Sequence, residues 1–126
     1  MEVKEDLLYS KDHDWAKVLN GKAKVGITDY AQSQLGDVVY VDLPSVGKEV
    51  KKGKTLYVLE SVKAASDIYV SFDCTVIEVN EKLNDQPELI NRSPYDDGWI
   101  AVVEIKDKEQ LKELLSAEAY KQQIEE

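Results

Sequence analysis

The chain has 126 residues, one cysteine and 25 acidic against 16 basic residues, which gives a net charge of −9 at pH 7. This length predicts one domain with an ordinary hydrophobic core, and a single cysteine excludes an internal disulfide, so nothing points to secretion. The acidic balance argues against nucleic-acid binding, which needs a basic surface, and no apolar run approaches the length of a membrane span.

The chain opens on a polar segment that is followed by a predicted hairpin. MEVKED (residues 1–6) has neither a signal-peptide pattern nor the Arg-rich, acid-poor pattern of a transit peptide. We therefore expect a bacterial or archaeal cytoplasmic protein, although a matured organelle protein would look similar. Asn20-Gly21 favours a type I′ turn, in which both central residues need φ > 0. Strands near 14–19 and 22–27 should therefore pair.

A short helix and a further strand are predicted next. Thr28 is suited to cap a helix over residues 29–35, and Gly36 is suited to end it in the left-handed conformation. Residues 38–41 are apolar and β-branched, which favours a strand that ends before Pro44.

One lysine is predicted at the tip of a hairpin. ESVKAAS (60–66) is a short polar break between the strand-like runs TLYVL (55–59) and DIYV (67–70). Such a break predicts a connection that projects into solvent. Lys63 would have no partner inside the fold, and its amine would be accessible for attachment of a prosthetic group. For this lysine taken alone, an ordinary surface residue is the simpler interpretation.

The strands on either side of the lysine suggest a barrel. Residues 76–79 and 99–105 are predicted strands, and the polar segment 80–91 is predicted as a loop or one short helical turn. SPYDDG (93–98) has the composition of a turn. Both halves repeat one plan, a Gly- or Asn-containing turn and then an apolar run. This plan fits a small flattened barrel with quasi-twofold symmetry over about residues 14–105.

The C-terminal tail changes to a helical period. Asp107 and Gln110 have the spacing of a capping box. Three leucines should then lie on one face of a helix: Leu111, Leu114 and Leu115. Ser116 is suited to start a further turn or helix toward residue 124. We expect this helical cap, over about 107–124, to cover an open end of the barrel rather than to bind a partner.

Many stretches of the chain, in one order, match a known family. They are HDW (13–15), VGITDYAQ (25–32), LGDVVYVDLP (35–44), VG (46–47), VKKG (50–53), ESVKA (60–64), EVNE (78–81), PELIN (87–91), SPY (93–95) and GW (98–99). With these, the chain resembles the H protein of the glycine cleavage system nearly from end to end. A bare Val-Lys-Ala would carry no such information.

The resemblance implies a fold and a carrier function. The fold would be mainly β, a lipoyl-type barrel-sandwich hybrid of two sheets with short helices near 29–35 and 108–124. Lipoate amide-linked to Lys63 would supply a cyclic disulfide on a long arm. In the family's reaction, a pyridoxal-phosphate glycine decarboxylase loads an aminomethyl group, a tetrahydrofolate-dependent aminomethyltransferase takes the one-carbon unit, and dihydrolipoamide dehydrogenase reoxidises the dithiol. The chain would be a carrier rather than an enzyme, and a monomer suits such a shuttle.

The resemblance also assigns positions to lipoate attachment. Lys63 would be the lipoyl attachment residue. Glu60 lies where the family has an acidic residue that helps the lipoate-attaching enzyme choose its target, and Gly47 lies at the family's turn glycine upstream of the lysine. An exposed strand residue is the alternative interpretation of Glu60.

Three carboxylates are candidates for holding the cationic aminomethyl group. The resemblance points to Asp67 beside the hairpin tip, to Asp14 and to Asp12, because a nearby carboxylate would bind the ammonium by charge-assisted hydrogen bonds. Ordinary solvated carboxylates are the alternative. His13 beside Asp14 looks like part of a catalytic triad, but no nucleophile motif accompanies it. We expect a surface or packing histidine.

Two positions depart from the family's pattern. Where the family has Pro-x-x-Gly after the lysine hairpin, this chain has SFDC (71–74). Cys74 would incur a steric penalty if the backbone of that glycine were kept at φ > 0, and a small buried residue is its expected role. Gln34 stands where many relatives have a histidine beside the short helix, which weakens any inference about contacts on that face.

Other functions fit the sequence less well. Biotin carriers have methionines beside the lysine, and lipoyl domains of 2-oxoacid dehydrogenases usually have an acidic residue just before it, whereas Val62 and Ala64 stand here. The main alternative is an H-like lipoyl protein of another pathway, in lipoate relay or sulfur oxidation, and the turn at Cys74 is the one feature that favours it. An independent enzyme has little support from one histidine and one cysteine. An unmodified interaction module stays open if Lys63 is never lipoylated.

Overall fold

Two antiparallel sheets form the body of the molecule in the computed structural model, which describes residues 1–125. The strands are β1 Leu8–Tyr9, β2 Asp14–Leu19, β3 Lys22–Ile27, β4 Val38–Asp42, β5 Glu49–Val50, β6 Thr55–Ser61, β7 Ala65–Tyr69, β8 Cys74–Val79 and β9 Ala101–Ile105. The helices are α1 Asp29–Leu35, α2 Lys82–Asp85, α3 Leu89–Arg92, a 3₁₀ helix Lys108–Glu113 and α4 Ala117–Glu125. One sheet has the order β1-β2-β3-β9-β8-β5 and the other has the order β4-β6-β7. The expected mainly β fold of two sheets with short flanking helices is confirmed.

The local elements of the N-terminal half follow the sequence closely. The turn between β2 and β3 has Asn20 at φ 53° and Gly21 at φ 77°, so both central residues are left-handed as predicted. Thr28 caps α1, because its side chain accepts a hydrogen bond from the Ala31 amide. Gly36 ends this helix at φ 79°. The predicted bounds of β2, β3 and α1 are confirmed.

The larger hydrophobic core lies between the two sheets. Leu59 of β6, Ile90 of α3 and Val103 of β9 are all fully buried there. The alternation of β9, in which Ala101, Val103 and Ile105 are buried and Glu104 is exposed, fits a strand with one face toward this core. The core therefore draws on both halves of the chain and on the short helices between them.

A second, aromatic core lies where α4 covers the first strands. Tyr9 and Tyr120 stack with ring centroids 4.5 Å apart, and neither is exposed. Tyr9 belongs to β1, which the sequence analysis did not predict, and it pairs with Trp15 of β2. The C-terminal helix thus packs onto β1 through aromatic rings. Among residues 1–125, no helix has the length and hydropathy needed to span a membrane.

The helical prediction for the tail was partly wrong. The Asp107 side chain accepts a hydrogen bond from the Glu109 amide. The side-chain oxygen of Gln110, Oε1, accepts from the Asp73 amide at 2.6 Å, so Gln110 does not complete a capping box. A 3₁₀ helix therefore forms first, and the chain becomes extended at Leu115, which exchanges backbone hydrogen bonds with Tyr9. The predicted second helix after Ser116 is confirmed as α4.

Candidate functional site

The lysine hairpin ends in a turn that the side chain of Ser61 shapes. The Ser61 amide donates to the Ala64 carbonyl at 2.9 Å. The Ser61 hydroxyl oxygen accepts from the amides of Lys63 and Ala64, both at 3.2 Å. β6 and β7 extend to residues 61 and 65, so only residues 62–64 connect the strands. Lys63 therefore occupies the middle of a three-residue connection, as the sequence predicted for a hairpin tip.

The side chain of Lys63 lies over Gly36 and is exposed. A Cβ added at Gly36 would meet Lys63 Cε at 3.5 Å and Nζ at 3.9 Å. The Val62 amide donates to the Asp37 carbonyl at 3.0 Å, which holds the tip against the segment after α1. Within residues 1–125, the Lys63 amine takes part in none of the hydrogen bonds or ion pairs.

These features fit an amide-linked lipoyl group. The amine is accessible and unpaired in the described part of the chain, and its neighbours Ala64 and Ala65 are small and exposed. Glycine at position 36 leaves open the space that another side chain would take beside the lysine stem. The amine is therefore open to acylation from solvent.

Glu60 lies on a strand of the three-stranded sheet, whereas Gly47 lies in a turn next to the other sheet. Glu60 is exposed on β6, between Tyr40 of β4 and Ala65 of β7 in the register. Gly47 lies in the turn before β5 at φ 92°, and its amide donates to the Val76 carbonyl at 2.8 Å. Of the two residues assigned to recognition, only Glu60 shares the sheet of the lysine hairpin. The left-handed φ explains why a glycine suits position 47.

Asp14 is the one candidate carboxylate with a buried oxygen. It lines a small cavity of about 30 Å³ together with apolar side chains from both sheets, among them Leu56, Ile68 and Phe72. A space of this size holds roughly one water molecule. Part of Asp14 is exposed, but its Oδ1 is buried and has no hydrogen-bond partner among residues 1–125. Its Oδ2 accepts only from the Ser10 hydroxyl, at 3.2 Å.

Burial controls the charge of this carboxyl. Loss of solvation raises the pKa of Asp14 from its ordinary value of 3.8 to about 8, and the nearby negative charge of Asp12 acts in the same direction. The hydrogen bond from Ser10 opposes the shift. Asp14 forms no ion pair within residues 1–125, so burial favours the protonated form of this carboxyl. A cation beside Asp14 would instead favour the ionised form of this carboxyl.

Ser10 brings Asp12 and Asp14 together. The Ser10 hydroxyl oxygen accepts from the amides of Asp12, at 3.2 Å, and Asp14, at 3.1 Å. The turn between them places His13 at φ 70°, and the His13 amide donates to the Ser10 carbonyl at 3.2 Å. Asp12 is exposed beside a second, open cavity of about 350 Å³. The sequence analysis missed Ser10, although a serine two residues before an aspartate is a known turn signal.

Asp67 lies apart from the other two carboxylates. It is exposed on β7, opposite Val58 of β6, and exposure alternates along this strand: Ser66 and Ile68 are half-buried, whereas Asp67 and Tyr69 are exposed. Adjacent strand residues point to opposite faces, so Asp67 faces away from the side that carries Ile68. The structure therefore brings Asp12 and Asp14 together but places Asp67 on the outer face of the three-stranded sheet.

His13 is a packing histidine, as expected. Its Nδ1 lies 2.9 Å from the Tyr120 hydroxyl, and its ring lies against Tyr30 with centroids 4.6 Å apart. The Tyr120 hydroxyl also bonds Thr28 Oγ1, at 2.6 Å. Burial lowers the pKa of His13, and the charge of Asp12 partly offsets this effect. The imidazole thus ties α4 to the start of α1 and has no nucleophile beside it.

Cys74 does not incur the steric penalty considered above. Among residues 1–125, the positive-φ residues other than glycine are His13 and Asn20. Cys74 begins β8 and pairs with Val50 and Ile105 in the sheet. Its side chain is 1% exposed, and burial raises the pKa of the thiol to about 11. The expectation of a small buried residue is confirmed.

Known proteins resemble this chain over nearly its whole length. A family model described as glycine cleavage H-protein matches residues 7–126. A glycine cleavage system H protein of Coprothermobacter proteolyticus is 58% identical over 125 residues, which cover 98% of each chain. A probable glycine cleavage system H protein of Thermococcus gammatolerans is 56% identical, over 98% of this chain and 93% of that protein.

A solved structure agrees with these sequence matches. The crystal structure of a glycine cleavage system H protein from Mycobacterium marinum superposes with a TM-score of 0.89 at 34% identity, over 98% of this chain and 100% of that one. The identity and coverage of the relatives exceed what a shared fold alone would give. This chain therefore belongs to the glycine cleavage H-protein family of lipoyl carriers.

Proposed function

We propose that this chain carries lipoate on Lys63 and shuttles an aminomethyl group between the enzymes of the glycine cleavage system. The observation that carries this proposal is the exposed amine of Lys63, unpaired within the described residues 1–125, at the tip of a three-residue hairpin connection. Its partners would be a pyridoxal-phosphate glycine decarboxylase, a tetrahydrofolate-dependent aminomethyltransferase, dihydrolipoamide dehydrogenase and a lipoate-attaching enzyme. The chain would act as a monomeric carrier in a bacterial or archaeal cytoplasm and would catalyse none of these reactions itself.

The protein's part in this function is presentation. Bound lipoate would supply a cyclic disulfide that accepts the aminomethyl group with two electrons. Ser61 fixes the backbone of the tip, and the Asp37 carbonyl anchors it through Val62. Glu60, exposed three residues before the lysine, would give the attaching enzyme a charged mark on the same strand. Gly47 would contribute to recognition through the shape of its turn in the other sheet.

Asp14 is our first candidate for holding the ammonium of the aminomethyl group. Its buried Oδ1 lacks a donor, and a primary ammonium would supply one together with the missing positive charge. An ammonium bonded to Asp14 would lower the pKa of this carboxyl and release its proton. The cavity beside it has room for roughly one water molecule, so its lining side chains would have to move apart to admit the aminomethyl group. Asp12, joined to Asp14 through Ser10, would add negative charge at the open side. Asp67 would act on the outer face instead.

The lysine and Asp14 lie near opposite ends of α1. The Lys63 stem contacts Gly36 at the C-terminal end, and the Thr28 amide at the N-terminal end donates to the carbonyl of His13, the neighbour of Asp14. Seven helical residues span about 10 Å at 1.5 Å per residue. An arm rooted at Lys63 and running beside α1 would therefore extend toward the end of the helix that adjoins His13 and Asp14.

Attachment is tested by intact mass. The chain co-produced with a lipoate-attaching enzyme should gain one lipoyl group, and Lys63→Arg should gain none. Addition of biotin, or no addition in protein from the native source, would contradict the carrier proposal. The lipoylated chain should then support bicarbonate–glycine exchange with a glycine decarboxylase. Failure of this exchange with fully lipoylated chain would contradict the assignment to glycine cleavage.

The role of Asp14 is tested on the loaded carrier. Asp14→Asn should speed the loss of ammonia from the aminomethylated arm, because the variant keeps the shape of the site but not its charge. Asp42→Asn, at an exposed aspartate of β4 with no assigned role, is the matched control. Equal rates for the wild type and Asp14→Asn would contradict the assignment. We propose no second function, because the residue that favoured another lipoate pathway, Cys74, is an ordinary buried strand residue.

A further inference from the structure

Asn91 of α3 makes three hydrogen bonds to the segment on which the lysine hairpin rests. Its Oδ1 accepts from the Val38 amide at 2.8 Å. Its Nδ2 donates to the Gly36 carbonyl at 2.8 Å and to Gln32 Oε1 at 3.1 Å. One half-buried side chain thus joins the end of α1 to the start of β4 from an element more than 50 residues away in sequence.

Chemistry fixes the orientation of this amide. A backbone N–H can only donate, so the atom facing Val38 must be the carbonyl oxygen of Asn91. The amide nitrogen then faces two acceptors, the Gly36 carbonyl and Gln32 Oε1. Gln32 keeps its own oxygen in place because its Nε2 donates to Asp29 Oδ1 at 2.9 Å. An aspartate at position 91 would therefore place a third oxygen against these two and lose both donated bonds.

The segment that Asn91 holds, residues 36–38, contacts the lysine hairpin at each of its residues. Gly36 lies beneath the Lys63 stem, Asp37 accepts from the Val62 amide, and Val38 pairs with Ser61 in the sheet. We call residues 36–38 the support segment. Asn91 forms hydrogen bonds with the backbone of Gly36 and Val38, and Val62 of the hairpin tip forms one with the backbone of Asp37.

We propose that Asn91 is the positioning residue of the lysine hairpin and sets how Lys63 is presented for lipoyl attachment. The inference rests on the proposed function of Lys63. Asn91 does not contact the amine; it acts through the support segment. Without its three bonds, the Gly36 and Val38 groups are satisfied only by water, and the segment samples other positions. The attaching enzyme then meets the lysine in the productive position for a smaller fraction of the time.

The test compares Asn91→Ala and Asn91→Asp with a matched asparagine elsewhere. Asn80 is buried, and its Nδ2 donates to the carbonyls of Asp97 at 2.9 Å and Trp99 at 2.8 Å, so Asn80→Ala also removes side-chain bonds to backbone. Two quantities are measured below the unfolding temperature of every variant. They are the kcat and KM of lipoyl attachment to Lys63, and the hydrogen-exchange rate of the Val62 amide, which bonds the support segment.

We expect kcat to fall by roughly fivefold or more in both Asn91 variants, because Asn91→Ala loses three hydrogen bonds and Asn91→Asp loses two, and each bond is worth a few-fold in an equilibrium constant. KM should stay within about twofold, since no exposed docking residue changes. The Val62 amide should exchange faster by a similar factor. Asn80→Ala should lower the melting temperature at least as much while leaving both quantities unchanged.

Two results would overturn the role of Asn91: unchanged Val62 exchange in both variants, or a fall in kcat no larger than that of Asn80→Ala. If the wild-type chain is not modified at Lys63 at all, the proposed function fails instead. The Val62 exchange comparison then still decides whether Asn91 holds the hairpin, because it does not depend on lipoate.

Discussion

Asp14→Asn should make the folded protein less sensitive to rising pH. The unfolded chain titrates this carboxyl near its ordinary pKa of 3.8, whereas burial raises the folded pKa to about 8. Between these values the folded state binds one more proton than the unfolded state, so stability falls as pH rises through this window. One proton corresponds to a slope of about 1.4 kcal/mol per pH unit. Over the whole shift, ionisation of Asp14 without a bound cation would lower the free energy of unfolding by up to about 6 kcal/mol.

Asparagine has nearly the same shape and no charge, so it removes this slope. The free energy of unfolding of Asp14→Asn minus that of the wild type should therefore rise by about 2–3 kcal/mol between pH 5 and pH 7. The rise should become shallower above pH 8, as the wild-type carboxyl becomes ionised in the folded state as well. A change of this size is a large fraction of the stability of a small domain, about 5–15 kcal/mol.

Urea unfolding of both proteins at half-unit steps from pH 5 to pH 8.5 measures this difference. His13 has the opposite effect on stability. Burial lowers its pKa in the folded state, so the protein loses stability as the pH falls and His13 becomes protonated. It is present in both proteins and cancels in the difference. Asp67→Asn is the matched control, because that side chain is exposed on β7. Parallel profiles for wild type and Asp14→Asn would refute the burial of this carboxylate and the cation-binding argument built on it.

Three further predictions concern packing, the C-terminal helix and the cysteine. Gly26→Ala should lower the free energy of unfolding by roughly 1–3 kcal/mol in urea titration, because its Cβ would lie 2.7 Å from the ring of Trp15; an unchanged midpoint would contradict this close approach. Tyr120→Phe should lower the free energy of unfolding by about 1 kcal/mol, because the Tyr120 hydroxyl forms a hydrogen bond with Thr28. An unaltered melting temperature would argue against that bond. Cys74 should resist iodoacetamide at pH 8 until urea unfolds the chain, because burial raises the pKa of its thiol to about 11; mass spectra that show alkylation of native protein would refute it.

The parts of the fold that were predicted correctly depend on neighbours in the sequence. Asn20-Gly21 supplies two left-handed residues by itself, and Thr28 caps a helix whose first amides follow directly. The hairpin that presents Lys63 was likewise readable, because a short polar break between two strand-like runs leaves few other conformations.

The tail shows where local spacing was insufficient. Asp107 and Gln110 have the separation of a capping box, but the Gln110 side chain bonds the Asp73 amide instead. Leu115, predicted on a helical face, pairs with Tyr9 at the edge of β1. Both outcomes were decided by strands that lie far away in sequence, and a periodicity argument contains no information about them.

The sequence by itself determined the elements from β2 to α1, the tip position of Lys63 and, through many ordered motifs, the family. Only the tertiary structure decided which carboxylate is buried and which side chain holds the hairpin support. Asp14 and Asp67 are the same residue type, but one lines a cavity between two sheets and the other lies in water. Asn91 contacts groups 53 and 55 residues away. Desolvation and hydrogen bonding depend on what surrounds a group in space, and that environment forms only when the two sheets and the helices pack together.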